Sequence, residues 1–165
     1  MANEGEFPKQ DGDVLYASEV NAIAGIHSQV DTTTDLDAWA SAGTTDTATK
    51  EYTFTSSELA SANYLEIKTN FNFYGPGDAN RYVSVKIETK EIGSTYSESM
   101  PEKKIQQYDA NINLHIDTYT LWWIHTLTSG EKANGCVVKV TFYADASGGG
   151  SDCRITNNAL MITPK

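Results

Sequence analysis

A chain of 165 residues is long enough for one domain with a substantial core and too short for two of ordinary size. Its 12 basic and 22 acidic residues give a net charge of −10, which argues against nucleic acid and anionic membranes as partners, because phosphate binding needs a basic face. Hydrophobic residues make up 39% of the chain and no apolar run approaches the ~20 residues of a bilayer span, so no membrane insertion is expected.

The N-terminal third is the anomalous part. Residues 1–50 carry two basic and nine acidic groups, a net of −7, against −3 for residues 51–165. Residues 1–13 lack the basic and apolar regions of a secretory signal, so the chain is expected either to be used without such export or to have lost its leader before this numbering. Ser18 is placed to cap a short helix over about 18–30, with Glu19 in a first turn where the helix dipole favours an acid. Tyr16, Val20, Ile23, His27 and Val30 recur at spacings of 4, 3, 4 and 3, a heptad seam about two heptads long. Such a helix is marginal alone in water, so the seam needs a surface: its own domain, a second copy or another protein. Residues 30–50, rich in Thr, Asp, Ala and Ser, read as an acidic linker that supplies no core. The expected division is an N-terminal arm over 1–50 and a folded body over 51–165.

From residue 51 the period-2 signal is clear. Leu65, Ile67, Phe71 and Phe73 alternate with Glu66, Lys68, Asn70 and Asn72; Val83, Val85 and Ile87 alternate with Ser84, Lys86 and Glu88. Tyr108, Ala110, Ile112, Leu114 and Ile116 form a third set, and Cys136, Val138, Val140 and Phe142 a fourth. Thr55-Ser56-Ser57-Glu58 has capping-box spacing and predicts one helical turn before the strand at Tyr64. Turns are expected at 74–78, 128–131 and 146–151, with Pro101-Glu102-Lys103-Lys104 leading into a strand that starts near Ile105. Shorter pieces at 51–55, 93–99 and 153–163 bring the total to about eight strands. With 19 Thr and nine Tyr favouring strands, the predicted fold is all-β: an antiparallel, jelly-roll-like sandwich preceded by an extended arm with one short helix.

Candidate chemistry is sparse. No Ser-His-Asp order, HExxH or Cys-His constellation occurs among three histidines, so no catalytic residues and no enzyme activity are predicted. Asp11-Gly12-Asp13 lacks the rest of a calcium loop, the acids at Asp31, Asp35 and Asp37 read as a solvated linker, and no metal or other cofactor is assigned. Cys136 and Cys153 match no zinc or redox spacing and are expected to be reduced thiols acting as small core residues. In the run 118–125, alternation puts Tyr119, Leu121, Trp123 and Leu127 inside and Trp122 and Ile124 outside. An outward Trp122, paired with Tyr143 of another strand, could lie under loops, face a sister subunit or stack on a sugar.

The segment Asp11-Gly12-Asp13-Val14-Leu15-Tyr16-Ala17-Ser18-Glu19-Val20-Asn21 resembles a short motif of tail-fibre and other virion appendage proteins of tailed phages and archaeal viruses. The resemblance covers about a dozen residues and implies an N-terminus that attaches or oligomerises while a β-rich region projects outward. It points to a viral structural protein, a fibre, tail or capsid-surface component located in the virion after assembly in the host cytoplasm. Its partners would be copies of itself, with a trimer as one form, other virion proteins and a cell-surface glycan. Phe7, Leu15, Tyr16, Val20, Ile23, His27 and Val30 would carry assembly, with Trp39 a second anchor. The alternatives are a carbohydrate-binding module or adhesin using Trp122 and Tyr143, and a subunit of an extracellular filament.

Overall fold

The computed structural model describes residues 29–31, 36–75, 81–105, 115–148 and 152–165. Sustained period-2 alternation becomes strand. In β4 (Tyr64–Gly75), Leu65, Ile67, Thr69, Phe71 and Phe73 are buried, while the side chains between them reach solvent. The same rule shapes β5 (Tyr82–Glu91) around Val83, Val85 and Ile87, and β8 (Cys136–Asp145) around Val138, Val140 and Phe142.

Two antiparallel sheets pack face to face. In the first, β9 (Cys153–Pro164) and β4 are the central strands, with β7 (His115–Thr126) beyond β4. On the far side of β9, β1 (Gln29–Asp31) and β2 (Asp37–Ala40) pair with successive stretches of it and act as one interrupted edge strand. The second sheet runs β3 (Thr45–Phe54), β8, β5, β6 (Ser97–Ile105). With β1 and β2 counted as one edge, these are two four-stranded sheets in jelly-roll order. Their inner faces share one core, in which the Phe71 and Phe142 rings meet edge-on at 5.5 Å between the sheets.

The sandwich takes in residues that composition assigned to a linker. Leu36, Ala38 and Ala40 are buried, and β3 contributes Tyr52 and Phe54 to the core. The boundary expected at residue 50 therefore falls inside a strand. Val30, expected at the end of the helical seam, lies in β1 opposite Met161, so its backbone belongs to its own sheet. The physical reason is that β2 needs only small side chains at its inward positions, and β3 turns Thr45, Thr47, Thr49 and Thr53 outward. Threonine is polar by composition, yet it is β-branched and suits a pleated surface. The remainder of the predicted helix, and the alternating set from Tyr108 to Leu114, lie outside the described residues.

Two further expectations are corrected. The strand expected to start near Ile105 ends there, and Pro101 sits within it, because β6 is an edge strand whose register slips against β5. Thr128-Ser129-Gly130-Glu131, read as a turn, is a capping box that starts α2 (Ser129–Asn134). The Thr128 N–H donates to Glu131 Oε2 at 2.8 Å, and the Glu131 N–H donates to Thr128 Oγ1 at 3.1 Å. It repeats the box that was foreseen at Thr55–Glu58, which opens α1 (Ser56–Leu59). Gly135 ends α2 at φ +94, where a Cβ would sit 2.7 Å from the Phe54 carbonyl oxygen.

Both cysteines are buried free thiols, as expected, and they stand at opposite ends of the sandwich, Cys136 across from Phe54 and Cys153 across from Ala40. Burial pushes the Cys153 thiol up to about 11. The role of residues 36–54 in the core is directly testable. A fragment beginning at Glu51 should show no cooperative unfolding transition, and Phe54→Ala in the full chain should cost about 3–5 kcal/mol in urea denaturation. A fragment that melts like the full chain would restore the linker reading.

Candidate functional site

Of the residues expected to carry assembly, Phe7, Leu15, Tyr16, Val20, Ile23 and His27 lie outside the described residues, and Val30 is in β1. Trp122 stands where alternation placed it. It is 62% exposed on the outer face of β7, with Ile124 beside it at 47%. Across the strand pair, Lys68 faces Trp122 and Glu66 faces Ile124. The Lys68 ammonium lies 5.6 Å from the indole centroid and 3.1 Å from the Glu66 carboxylate, so its charge is spent within the sheet.

The outer face of the first sheet continues from there as one surface. Asn72 and Asn158 exchange side-chain hydrogen bonds at 3.2 and 2.9 Å, and Thr118 donates to Asn72 Oδ1 at 2.9 Å. Six residues along β4 from Lys68, roughly 20 Å away at the rise of a strand, a second aromatic group forms. There Trp39, Arg154 and Tyr74 stand in register on β2, β9 and β4. The Arg154 guanidinium lies 5.4 Å from the Trp39 ring and 5.9 Å from the Tyr74 ring, and its Nε donates to Asp37 Oδ1 at 2.8 Å. Asp37, expected to be part of a solvated linker, is thus a partner of β9. Trp39, Tyr74, Asp152, Cys153 and Arg154 line a pocket of about 210 Å³. Trp39 is 56% exposed at its rim.

Tyr143 does not join Trp122. It lies on β8, on the outer face of the opposite sheet, with its ring 5.8 Å from Tyr82. Burial and the neighbouring Asp145 carboxylate push its hydroxyl up, and that hydroxyl donates to Asp145 at 3.4 Å. The two residues cannot form one stacking platform. Alternation tells which face of a strand a side chain takes; it does not tell which sheet the strand enters. This second outer face is charged: Glu88 accepts from Lys86 at 3.1 Å and from Lys139 at 2.6 Å.

A third group was not anticipated. At the end of β7, His125 Nε2 lies 3.0 Å from Glu131 Oε1, and the Cys136 thiol donates to the same oxygen at 3.4 Å. Ser99 Oγ shares a 2.9 Å hydrogen bond with His125 Nδ1 and accepts the Trp123 indole N–H at 3.2 Å. The His125, Glu131 and Cys136 donor atoms all lie within 4.8 Å of one another, the one group of potential metal ligands among the described residues. The signal that could have found it is the second capping box, which turns Glu131 back toward the strand ends.

No protein-family model matches the chain, and no curated protein matches it. Its fold matches solved viral structures. A chain in the structure of infectious bursal disease virus, Gx strain, superposes with a TM-score of 0.50 and 10% identity over 84% of this chain and 31% of that one. A chain of the Gt strain gives 0.50 and 10% over 84% and 32%. At this identity the likeness is one of fold, and this chain spans about a third of the length of the viral chains it matches.

The neighbouring tryptophans separate surface from support. Trp122→Ala should leave unfolding within about 0.5 kcal/mol of the parent, whereas Trp123→Ala, which removes a half-buried ring and the hydrogen bond to Ser99, should cost about 2 kcal/mol or more. Equal costs in a denaturant titration would mean that Trp122 is covered within its own chain.

Proposed function

We propose that this chain is a structural component of a virion, working by assembly through its N-terminal arm and the outer face of its first sheet. The observation that carries the reading is a jelly-roll sandwich, matched in fold by chains of infectious bursal disease virus, that presents one broad outer face poor in free charge and bearing two exposed tryptophans. Depletion of charge with enrichment in Trp, Tyr and Arg is the composition of an interface centre. The dozen-residue likeness to virion appendage proteins supports the same assignment and favours a fibre, tail or capsid-surface position. On this reading Tyr16, Val20, Ile23 and His27 meet further copies or other virion proteins. Light scattering of the full chain should report a multiple of 18.0 kDa that falls to a single folded subunit in Val20→Asp/Ile23→Asp. A wild-type monomer at micromolar concentration would overturn self-assembly.

The pocket at Trp39 favours a second role in the same particle, recognition of a cell-surface glycan. Two aromatic faces flanking an arginine–carboxylate pair offer both a stacking surface for a sugar ring and hydrogen bonds for its hydroxyls. On this reading the glycan would sit at Trp39, Tyr74 and Arg154 rather than at Trp122 and Tyr143. Binding on a glycan array should disappear on Trp39→Ala and persist on Trp122→Ala. The reverse pattern would return the sugar to Trp122.

A further inference from the structure

Three elements converge on the Glu131 carboxylate at the end of the sandwich where the chain passes from β7 through α2 into β8. His125 closes β7, Glu131 sits in the first turn of α2, and Cys136 begins β8. We propose that His125 Nε2, Glu131 Oε1 and Cys136 Sγ are the protein ligands of a zinc-class divalent ion that staples the two sheets together at this end.

The geometry is close to what such an ion needs. Zinc bonds of about 2.3 Å to sulfur and 2.0–2.1 Å to nitrogen or oxygen place neighbouring tetrahedral donors about 3.3–3.5 Å apart. The donors here stand 3.0 Å (His to Glu) and 3.4 Å (Cys to Glu) apart, and His125 Nε2 and Cys136 Sγ lie within 4.8 Å of each other, so binding asks the three side chains to close around the ion. The Glu131 carboxylate straddles His125 Nε2, with Oε1 at 3.0 Å and Oε2 at 3.1 Å; Oε2 also accepts the Thr128 N–H at 2.8 Å, while Oε1 is the oxygen that accepts the Cys136 thiol. The other ring nitrogen of His125 is already engaged by Ser99, itself held by Trp123, which aims Nε2 at the cluster in the way an outer shell fixes a ligand.

Charge and softness select the ion. A thiolate, a carboxylate and a neutral imidazole carry two negative charges, which a divalent cation cancels, leaving a neutral buried centre. Sulfur and nitrogen donors favour zinc over calcium or magnesium. Without the ion the thiol keeps its proton, since burial first and the Glu131 charge second push Cys136 up. Loading therefore releases that proton to solvent, and one position of the tetrahedral shell remains for water or another donor. His125, with 13% of its side chain exposed, is the ligand nearest solvent, while Glu131 and Cys136 are buried.

Cobalt(II) titration of the full, reduced chain tests the assignment. The expected result is one equivalent bound, with a thiolate-to-metal charge-transfer band and the strong visible bands of four-coordinate cobalt, both bleached by zinc. The bands should vanish in Cys136→Ala, persist in Cys153→Ala, and weaken with about tenfold looser binding in Ser99→Ala. Circular dichroism monitors folding of each variant, and His125→Gln repeats the test if Cys136→Ala is unfolded. A folded wild type that gives no thiolate band, or bands that follow Cys153, would overturn the site and leave the cluster as a hydrogen-bonded cap.

Discussion

The position of β9 is the constraint on which the rest of the structure depends. The last strand lies inside the first sheet, between β4 and the edge formed by β1 and β2, so β1 and β2 join that sheet only through β9. Ile162 pairs with Ile67, roughly a hundred residues earlier, and with Gln29, which is farther still. Such pairings pay loop-closure entropy before they return any burial, which makes the fold one of high contact order. Once β9 is in place it supplies Ile155, Leu160 and Ile162 to the core and sets Arg154 between Trp39 and Tyr74. The core and the outer face thus share one origin.

A single irregularity in β9 shapes that face. Register against β4 shifts between Asn70 and Phe71, which leaves Asn158 as an extra residue. Asn157 points inward and accepts the Thr69 hydroxyl at 3.3 Å, Asn158 points outward to its reciprocal pair with Asn72, and the inward series resumes at Leu160. The polar band between the two tryptophan-bearing ends is built on this bulge.

The same bulge marks the limit of what the sequence makes legible. β4, β5 and β8 carry uninterrupted alternation and were recognisable from it, and the outward direction of Trp122 followed by the same logic. In β9 the parity of buried positions changes midway, so a strict period of two describes only half of it. β2 and the first part of β3 were hidden because alanine and threonine resemble a linker in composition, and only the end of β3, at 51–55, was expected as a strand. The His125–Glu131–Cys136 cluster was invisible for another reason: its members sit on three elements, and the glycine inside the second capping box made the start of α2 look like a turn. Jelly-roll order was reachable only as a count of strands; which strand neighbours which is decided by tertiary packing.

The two outer faces differ in what it would cost to cover them. On the second sheet, Lys139 hydrogen-bonds Glu88 and holds its carboxyl below the usual range, against the opposing effect of burial, with Lys86 adding to the same effect. Exposed pairs of this kind contribute little to stability while they stay wet, about 0–1 kcal/mol, and burying them under a partner strips hydration that the pairing does not fully return. On the first sheet the Arg154–Asp37 and Lys68–Glu66 pairs carry the same kind of cost, but the Asn and Thr side chains of the central band bond to one another. Covering the β7 side of that face gains the burial of Trp122 and Ile124 and leaves the Trp39 pocket open. In the assembly proposed above, this asymmetry favours turning the first sheet toward its neighbours and leaving the charged second sheet in solvent.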